Sequence, residues 1–429
     1  MKKTIFALLP ILYVAIACNN SPTSTVENNS IITSSVKTRI DSTLKTFTDS
    51  LKTMGVSALV FEKGKEVYYN AFGYADKEAN TPMDRNTIVR IYSMTKPIVG
   101  VALMTLYEKG AFQLDDPLSK YAPEFADMKV FKGVDAKGNA ILEPAKRPIT
   151  IRDITRHTAG FAGTDIPVLG DMVKKADAGN PNNTLAEMAK KLAALPLAFH
   201  PGDQWAYGPS VDVQAYLVEK LSGKPFDQYL QETILTPLQM AHTRYVIPEN
   251  EWKNFAAVYN RNDSTGALSR ATDDRNVNFN KKDWPLKPGG WGLTSTLDDY
   301  MKFTQMLVHK GELNGVRILK PETISLMSTN QLSDTISKRM FLPSKGRVGF
   351  GIDFAVRTSP PKSQNENHGI VGEFFWDGAA STLFWVDPKN DLTAVLFTQL
   401  MPFDKVKLHK RFRDAIYGVY VPSTDSNKE

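Results

Sequence analysis

Segments with the pattern of β-strands form two groups, one near each end of this chain, and the sequence between them is mostly helical. In the first group, two apolar runs flank a turn at Gly64, which is typical of a β-hairpin. The strand-like segments are residues 56–61 and 66–72 in the first group and residues 346–356, 369–376, 381–386 and 392–399 in the second. We therefore expect an α+β or α/β fold with one mostly antiparallel sheet built from both ends of the chain and flanked by helices. Residues from about 114 to 326 would form a helical lobe inserted between them.

Apolar residues at helical spacing predict the helices that cover the sheet and build the inserted lobe. In the first helix, Ile40, Leu44, Phe47 and Leu51 recur on one face. Further helices are predicted over residues 97–106, 151–155, 185–195, 211–221, 297–309 and 405–416. A cleft between the sheet and the helical lobe would be the natural place for a ligand.

Composition and charge are those of an ordinary globular protein. Of the 429 residues, 42% are hydrophobic and 23% are charged, which suffices for a large core over residues 36–420, with a short tail at 421–429. The formal net charge of +6 is spread along the chain and no nucleic-acid-binding motif occurs, so we expect no nucleic-acid partner. The single cysteine excludes a disulfide within this chain.

The first residues have the pattern of a bacterial export signal. Lys2 and Lys3 precede an apolar run that ends beside Cys18 and is too short for a stable membrane anchor. Residues 1–17 therefore predict a signal peptide, and Cys18 resembles the lipidated cysteine of a bacterial lipoprotein. The alternative is an ordinary cleaved signal beside an incidental cysteine. Residues 18–35 are rich in Ser, Thr and Asn and predict a flexible tether, so the protein would be held at the cell envelope by a lipid anchor.

A serine and a lysine three residues apart stand at the start of the most apolar predicted helix. Ser93 follows a short strand-like run, and Lys96 lies one turn further along, on the same face. A serine near the positive end of a helix dipole, with an amine beside it, can act as a nucleophile with its base. Three other Ser-x-x-Lys pairs, at residues 34–37, 42–45 and 359–362, do not begin a buried helix. The alternative is that Ser93 only caps the helix.

A turn-rich segment, residues 199–210, supplies a tyrosine that can assist this pair. Tyr207 stands where the segment enters a helix, and a tyrosine can relay a proton to a leaving group. Considered alone, Tyr207 is more simply interpreted as a core residue packed beside Trp205.

Five segments together resemble the motifs of the serine β-lactamase and penicillin-binding-protein superfamily, on its class C side. The likeness is greatest to the β-lactamase-like carboxylesterases of family VIII. The segments occur in the family's order and are residues 91–96 (IYSMTK), 149–160 (ITIRDITRHTAG), 201–207 (PGDQWAY), 289–296 (GGWGLTST) and 372–380 (GEFFWDGAA). The likeness extends from about residue 40 to 415.

The resemblance implies acyl transfer to and from a small ester or amide substrate. Ser93 would be the nucleophile, Lys96 and Tyr207 would move its proton to the leaving group, and the backbone N–H groups of Ser93 and Ala379 would form the oxyanion hole. Activity would rise with pH as the Lys96/Tyr207 pair loses a proton. No metal or organic cofactor is required, and His157 lies in a matched segment that we interpret as structural.

Two departures from the family's pattern bear on the substrate. Pro209 stands where class C β-lactamases carry the asparagine of Tyr-x-Asn, and Trp376-Asp377-Gly378 replaces the Lys-Thr-Gly whose cation helps to bind a carboxylate. We expect Trp376, Asp377 and Gly378 to contact the substrate. Trp376 favours an uncharged or apolar acyl group, and Asp377 would repel a carboxylate. An esterase-like serine hydrolase is therefore expected. A β-lactamase or D-Ala-D-Ala carboxypeptidase, and a catalytically inactive envelope binding protein, are the alternatives; the natural substrate and the oligomeric state stay open.

Overall fold

The sheet expected from the two ends of the chain is present in the computed structural model, which describes residues 30–161, 165–272 and 278–422. The strands of the first half are β1 (Gly55–Glu62), β2 (Lys65–Asp76), β3 (Thr81–Pro82), β4 (Val89–Arg90), β5 (Lys129–Val134) and β6 (Ala140–Pro144). Those of the second half are β7 (Tyr259–Arg261), β8 (Leu268–Arg270), β9 (Thr294–Ser295), β10 (Glu312–Leu313), β11 (Val316–Arg317), β12 (Val348–Phe350), β13 (Ala355–Arg357), β14 (Phe374–Asp377), β15 (Leu383–Asp387), β16 (Leu392–Thr398) and β17 (Leu400–Met401).

Strand β1 joins the two ends of the chain in one eight-stranded sheet. The order is β12-β13-β14-β15-β16-β1-β2-β3, and each neighbouring pair is antiparallel. β1 pairs with β16 from Val56 opposite Thr398 to Glu62 opposite Leu392, and with β2 on its other edge. The predicted hairpin and the predicted origin of the sheet are therefore confirmed.

Helices cover both faces of this sheet. The helices are α1 (Ser34–Asp49), α2 (Thr95–Glu108), α3 (Ile151–Thr155), α4 (Pro167–Ala176), α5 (Leu185–Ala193), α6 (Ser210–Ser222), α7 (Phe226–Leu230), α8 (Leu297–Val308), α9 (Pro321–Met327) and α10 (Leu408–Tyr417). Adjacent residues of a strand point to opposite faces. On β15, Phe384 packs against Tyr300 of α8 with 5.1 Å between ring centroids, and Trp385 packs against Phe412 of α10 at 5.4 Å. The core thus lies on both sides of the sheet.

The inserted helical lobe is smaller than predicted. Helix α6 lies at its centre and contacts α2, α3, α5 and α7. Helix α8, which the sequence places within the lobe of residues 114–326, instead packs on the sheet through Tyr300. The lobe also contains the hairpin β5–β6, which the sequence pattern does not predict.

Three local predictions are wrong. Leu51 lies beyond the end of α1 and is 60% exposed, because the chain turns at Leu51 with a φ of 49°. Residues 346–356 form no single strand but the hairpin β12–β13, with Asp353 at a φ of 58° in the turn. Ordered structure also begins before the expected tether end at residue 35, since Ile32 is buried and Thr33 caps α1.

Several predictions concern residues that the structure does not describe. The signal peptide at 1–17, the lipidation site Cys18 and residues 423–429 of the expected tail lie outside the described residues. Within residues 30–161, 165–272 and 278–422, no helix has both the length and the apolar character needed to span a membrane.

Candidate active site

Ser93 lies in a tight turn immediately before α2. The turn, Tyr92–Met94, has 3₁₀ geometry, and Tyr92 has a φ of 45°, a left-handed conformation that is costly for an aromatic residue. Met94, not Ser93, is the N-cap of α2, and it makes no side-chain cap. The alternative that Ser93 serves only as a helix cap is therefore wrong, and its half-buried side chain stays accessible.

The amine of Lys96 lies beside the Ser93 hydroxyl. Lys96 is only 5% exposed, and its Nζ donates hydrogen bonds to Ser93 Oγ at 3.2 Å and to Gly290 O at 2.5 Å. No ion pair among the described residues includes Lys96. An amine that contacts a hydroxyl and has no carboxylate partner can exchange a proton with that hydroxyl.

The carbonyl group that accepts from Lys96 is held in place by α6. Asp212 Oδ1 accepts a hydrogen bond from Gly290 N at 2.9 Å, and a Cβ on Gly290 would come within 2.8 Å of Asp212 Oδ2. A Cβ on Gly289 would meet the Val211 carbonyl oxygen at 2.2 Å, so position 289 requires glycine, and a side chain at position 290 would displace the Asp212 carboxylate. Asp212 thus positions the Gly290 carbonyl, a role that sequence reasoning missed although Gly290 lies in a segment that matches the family.

Two carboxyl groups act on Lys96 through space, without an ion-pair contact. Desolvation raises the pKa of Asp353 well above its ordinary value, and Asp353 Oδ1 accepts a hydrogen bond from Gln214 Nε2 at 3.1 Å. Desolvation also raises the pKa of Asp212, while the charge of Lys96 lowers the pKa of both carboxyls. Burial therefore favours the neutral form of each acid and weakens its attraction for a charged Lys96.

Tyr207 connects this pair to an aromatic cluster. The Tyr207 ring centroid lies 4.5 Å from Lys96 Nζ, and its hydroxyl accepts a long hydrogen bond from Trp376 Nε1 at 3.4 Å. The aromatic cluster consists of His157, Trp205, Tyr207, Phe341, Phe350 and Trp376. Ser93, Lys96 and Tyr207 are thus brought together, and Tyr207 also packs beside Trp205, at 6.2 Å between ring centroids. Tyr207 is therefore packed beside Trp205, and its ring also lies beside Lys96, where the catalytic interpretation places it.

His157 is the inner member of the aromatic cluster. It is fully buried, its ring centroid lies 4.8 Å from that of Tyr207, and neither ring nitrogen has a hydrogen-bond partner among the described residues. Desolvation, with a smaller effect from the charge of Lys96, lowers the pKa of His157 well below its ordinary value. The ring therefore stays neutral and packs as an aromatic residue, in agreement with its structural interpretation.

The end of β14 approaches the turn that carries Ser93 closely. A Cβ on Gly378 would come within 2.5 Å of the Ile91 carbonyl oxygen and 2.3 Å of Thr382 Oγ1, so only glycine fits here. Gly378 is buried, whereas the next residue, Ala379, is exposed. The contact of Gly378 with Ile91 brings the residue predicted for the oxyanion hole beside the turn that carries Ser93.

Trp376 and Asp377 have partners that change their expected roles. Trp376 is 1% exposed and supports Tyr207 from within the aromatic cluster, so its indole forms no open surface for a substrate. Asp377 makes an ion pair with Lys345, and both side chains are almost buried. The expectation of an unpaired carboxylate that repels anions is therefore wrong. Sequence reasoning missed Lys345 because it lies 32 residues from Asp377, in a segment without a family motif.

Comparisons with known proteins identify the family to which the chain belongs. The family model described as Beta-lactamase matches residues 40–417. Protein Rv1367c of Mycobacterium tuberculosis is 33% identical over 355 residues, which cover 81% of this chain and 86% of that protein. Lovastatin esterase of Penicillium rubens is 27% identical over 404 residues, covering 89% and 98%. The solved structure of EstCE1, described as a hydrolase with promiscuous acyltransferase activity, has a TM-score of 0.73 and 25% identity, covering 91% of this chain and 100% of that one. The chain therefore belongs to the β-lactamase family and is a serine hydrolase related to carboxylesterases.

Proposed function

We propose that this protein cleaves carboxylic esters by transferring their acyl group to Ser93. One observation carries the proposal: the buried amine of Lys96, which has no ion-pair partner among the described residues, lies 3.2 Å from Ser93 Oγ. The likeness to an esterase from Penicillium rubens supports an ester rather than another acyl compound as the substrate.

The acylation half-reaction uses Ser93, Lys96 and Tyr207. The Ser93 oxygen bonds to the ester carbonyl carbon while its proton passes to the uncharged Lys96 amine. When the tetrahedral intermediate collapses, the bond from carbon to the leaving oxygen breaks, and that oxygen receives the proton from Lys96 by way of the Tyr207 hydroxyl. The products are an alcohol and an acyl group on Ser93.

In the deacylation half-reaction, water takes the place of the alcohol. A water molecule adds to the acyl carbon while one of its protons passes to Lys96 by way of the Tyr207 hydroxyl. The bond between that carbon and Ser93 Oγ then breaks, the serine takes up the proton, and the carboxylic acid leaves. In both halves, the N–H groups of Ser93 and Ala379 stabilise the negative oxygen of the intermediate, which the approach of Gly378 to Ile91 supports.

An activity-based probe tests this proposal. A fluorophosphonate should label the folded wild-type protein at Ser93, and wild-type protein should hydrolyse 4-nitrophenyl butyrate. Ser93→Ala should lose the label and at least about 10³-fold in kcat, because the nucleophile is absent. Ser359→Ala is the matched control, since Ser359 and Lys362 have the same spacing outside any helix, and it should keep both activities.

The same assay separates the alternatives. Rapid hydrolysis of nitrocefin with negligible ester turnover would contradict the esterase assignment in favour of a β-lactamase. Stable acylation by penicillin with release of D-alanine from a D-Ala-D-Ala peptide would favour a carboxypeptidase. Folded protein without labelling or turnover would support an inactive binding protein.

We also propose that the protein is exported and held at a bacterial cell envelope by lipid on Cys18. The apolar run before this single cysteine supports the proposal. In a bacterial host, metabolic labelling with an alkyne fatty acid should mark the wild-type protein in the membrane fraction. Cys18→Ser should abolish the label and release the protein from that fraction. Equal labelling of both proteins would contradict lipidation at Cys18.

A further inference from the structure

We infer that this site selects esters whose acyl group carries no charge, because the Lys345 ammonium neutralises the Asp377 carboxylate at the end of β14. The inference rests on the proposed esterase function and specifies its substrate class. Neither residue takes part in the bond-making steps, so both act as specificity residues.

Lys345 and Asp377 belong to a group of packed side chains that we call the wall, which consists of Tyr207, Phe341, Lys345, Trp376 and Asp377. Lys345 Nζ contacts Asp377 Oδ2, and the two side chains are 7% and 10% exposed. The same Nζ lies 4.9 Å from the ring centroid of Trp376, 5.4 Å from that of Phe341 and 4.6 Å from that of Phe403. Both charges are therefore taken largely out of water and matched to each other, with aromatic rings around the ammonium.

This pair lies close enough to the reacting groups to act on the substrate. Asp377 is two residues from Ala379, so their Cα atoms are at most about 7 Å apart. Phe341, which contacts Lys345, also lies 5.3 Å from the Tyr207 ring. Lys345 Nζ also lies 4.9 Å from the centroid of the Trp376 ring, whose Nε1 donates a hydrogen bond to the Tyr207 hydroxyl at 3.4 Å. An unpaired charge on Lys345 or Asp377 would therefore lie one aromatic ring away from a reacting group, in buried surroundings where salt screens it little.

Paired charges leave the wall electrically neutral. A carboxylate or ammonium on the acyl group would have to shed water against rings and a closed ion pair, without gaining a counter-ion. An uncharged acyl group meets no such cost. The pair therefore discriminates against both signs of charge, whereas Asp377 alone would exclude only anions and Lys345 alone would attract them.

Charge-altering variants test the inference with three esters of similar size: 4-nitrophenyl butyrate, 4-nitrophenyl hemisuccinate and the 4-nitrophenyl ester of 4-aminobutyrate. Asp377→Asn leaves Lys345 unpaired and should raise kcat/KM for the hemisuccinate relative to the butyrate by about 10-fold. Lys345→Met leaves Asp377 unpaired and should raise the relative value for the 4-aminobutyrate by a similar factor, while lowering that for the hemisuccinate. The double variant should return both ratios to the wild-type values.

A measurement on wild-type protein guards against loss of folding in the single variants. In wild-type protein, kcat/KM for the hemisuccinate and for the 4-aminobutyrate should each lie at least about 10-fold below that for the butyrate, because either charge loses water without gaining a counter-ion. A wild-type kcat/KM for either charged ester that equals the value for the butyrate would overturn the inference.

Two further outcomes keep the inference and the proposed function distinct. Single variants that melt at lower temperature but keep both ratios would show a structural ion pair only, and would overturn the inference while the esterase function stands. Absence of turnover for all three esters in labelled wild-type protein would instead contradict the proposed function.

Discussion

The proposed nucleophile and the wall beside it are assembled in opposite ways. Ser93 and Lys96 come from one turn and the start of one helix, and their contact spans three residues of sequence. One distant group, the Gly290 carbonyl, completes their hydrogen bonds. A short motif therefore contains most of the geometry that the chemistry needs, since residues three apart on a helix lie on the same face.

The wall, in contrast, draws its members from three separate parts of the chain. Tyr207 precedes α6, Phe341 and Lys345 belong to the segment before β12, and Trp376 and Asp377 lie on β14. The Lys345–Asp377 contact spans 32 residues, and the Trp376–Tyr207 contact spans 169. Reactivity in this protein is encoded locally, whereas the environment of the acyl group depends on packing between the sheet and the helical lobe.

Removing the amine of Lys96, which lies beside the proposed nucleophile, should have the largest effect among substitutions of Lys96, Tyr207 and His157. Lys96→Met keeps the apolar stem but cannot accept the Ser93 proton, so kcat for 4-nitrophenyl butyrate should fall by about 10³-fold. Lys362→Met, in the Ser-x-x-Lys pair outside any helix, is the matched control and should behave as wild type. If kcat of folded Lys96→Met protein fell by less than about 10-fold, Lys96 would not be the base.

Removing one hydroxyl from the wall should give a smaller effect. Tyr207→Phe keeps the ring contacts with Trp205 and Trp376 but lacks the group that carries the proton to the leaving oxygen. We expect kcat to fall by about 10²-fold with little change in KM or Tm. If the loss appeared in KM alone, Tyr207 would serve binding rather than proton transfer.

The smallest effect is on stability, and it tests whether His157, which packs against Tyr207, stays neutral in the folded protein. Burial holds the pKa of His157 well below its ordinary value, so the folded protein keeps the ring neutral while the unfolded chain takes up a proton below about pH 6.5. The stabilising contribution is therefore present above that pH and is lost as the pH falls toward the lowered pKa. His157→Phe removes this proton uptake and keeps an aromatic ring.

Urea unfolding at pH 7.5 and 5.5 checks this prediction. The free energy of unfolding of wild type, relative to His157→Phe, should be lower at pH 5.5 than at pH 7.5 by about 1 kcal/mol. A difference that stays constant between the two pH values would show that His157 titrates alike in the folded and unfolded states, and would remove the burial explanation.

Much of the fold could be predicted because its periodic patterns are local. Strands β15 and β16 lie almost where the apolar runs place them, and α3 begins at the predicted residue, Ile151. The errors occur where a turn interrupts a pattern without an obvious signal. Asp353 reverses the chain inside an apolar run, and Leu51 continues a helical spacing after the helix has ended. A non-glycine residue adopts this left-handed backbone conformation because tertiary contacts hold it there, so the sequence pattern around it does not predict the turn.

The sequence alone predicts the Ser93–Lys96 pair and the two groups of strand segments that build the sheet, because helical and strand periodicity place nearby residues relative to one another. The structure is needed to show that Asp212 holds the Gly290 carbonyl, that Trp376 is covered by Tyr207, and that Lys345 neutralises Asp377. Those contacts join residues between 32 and 169 positions apart, and no local pattern records which distant side chain will fill the space beside a given charge.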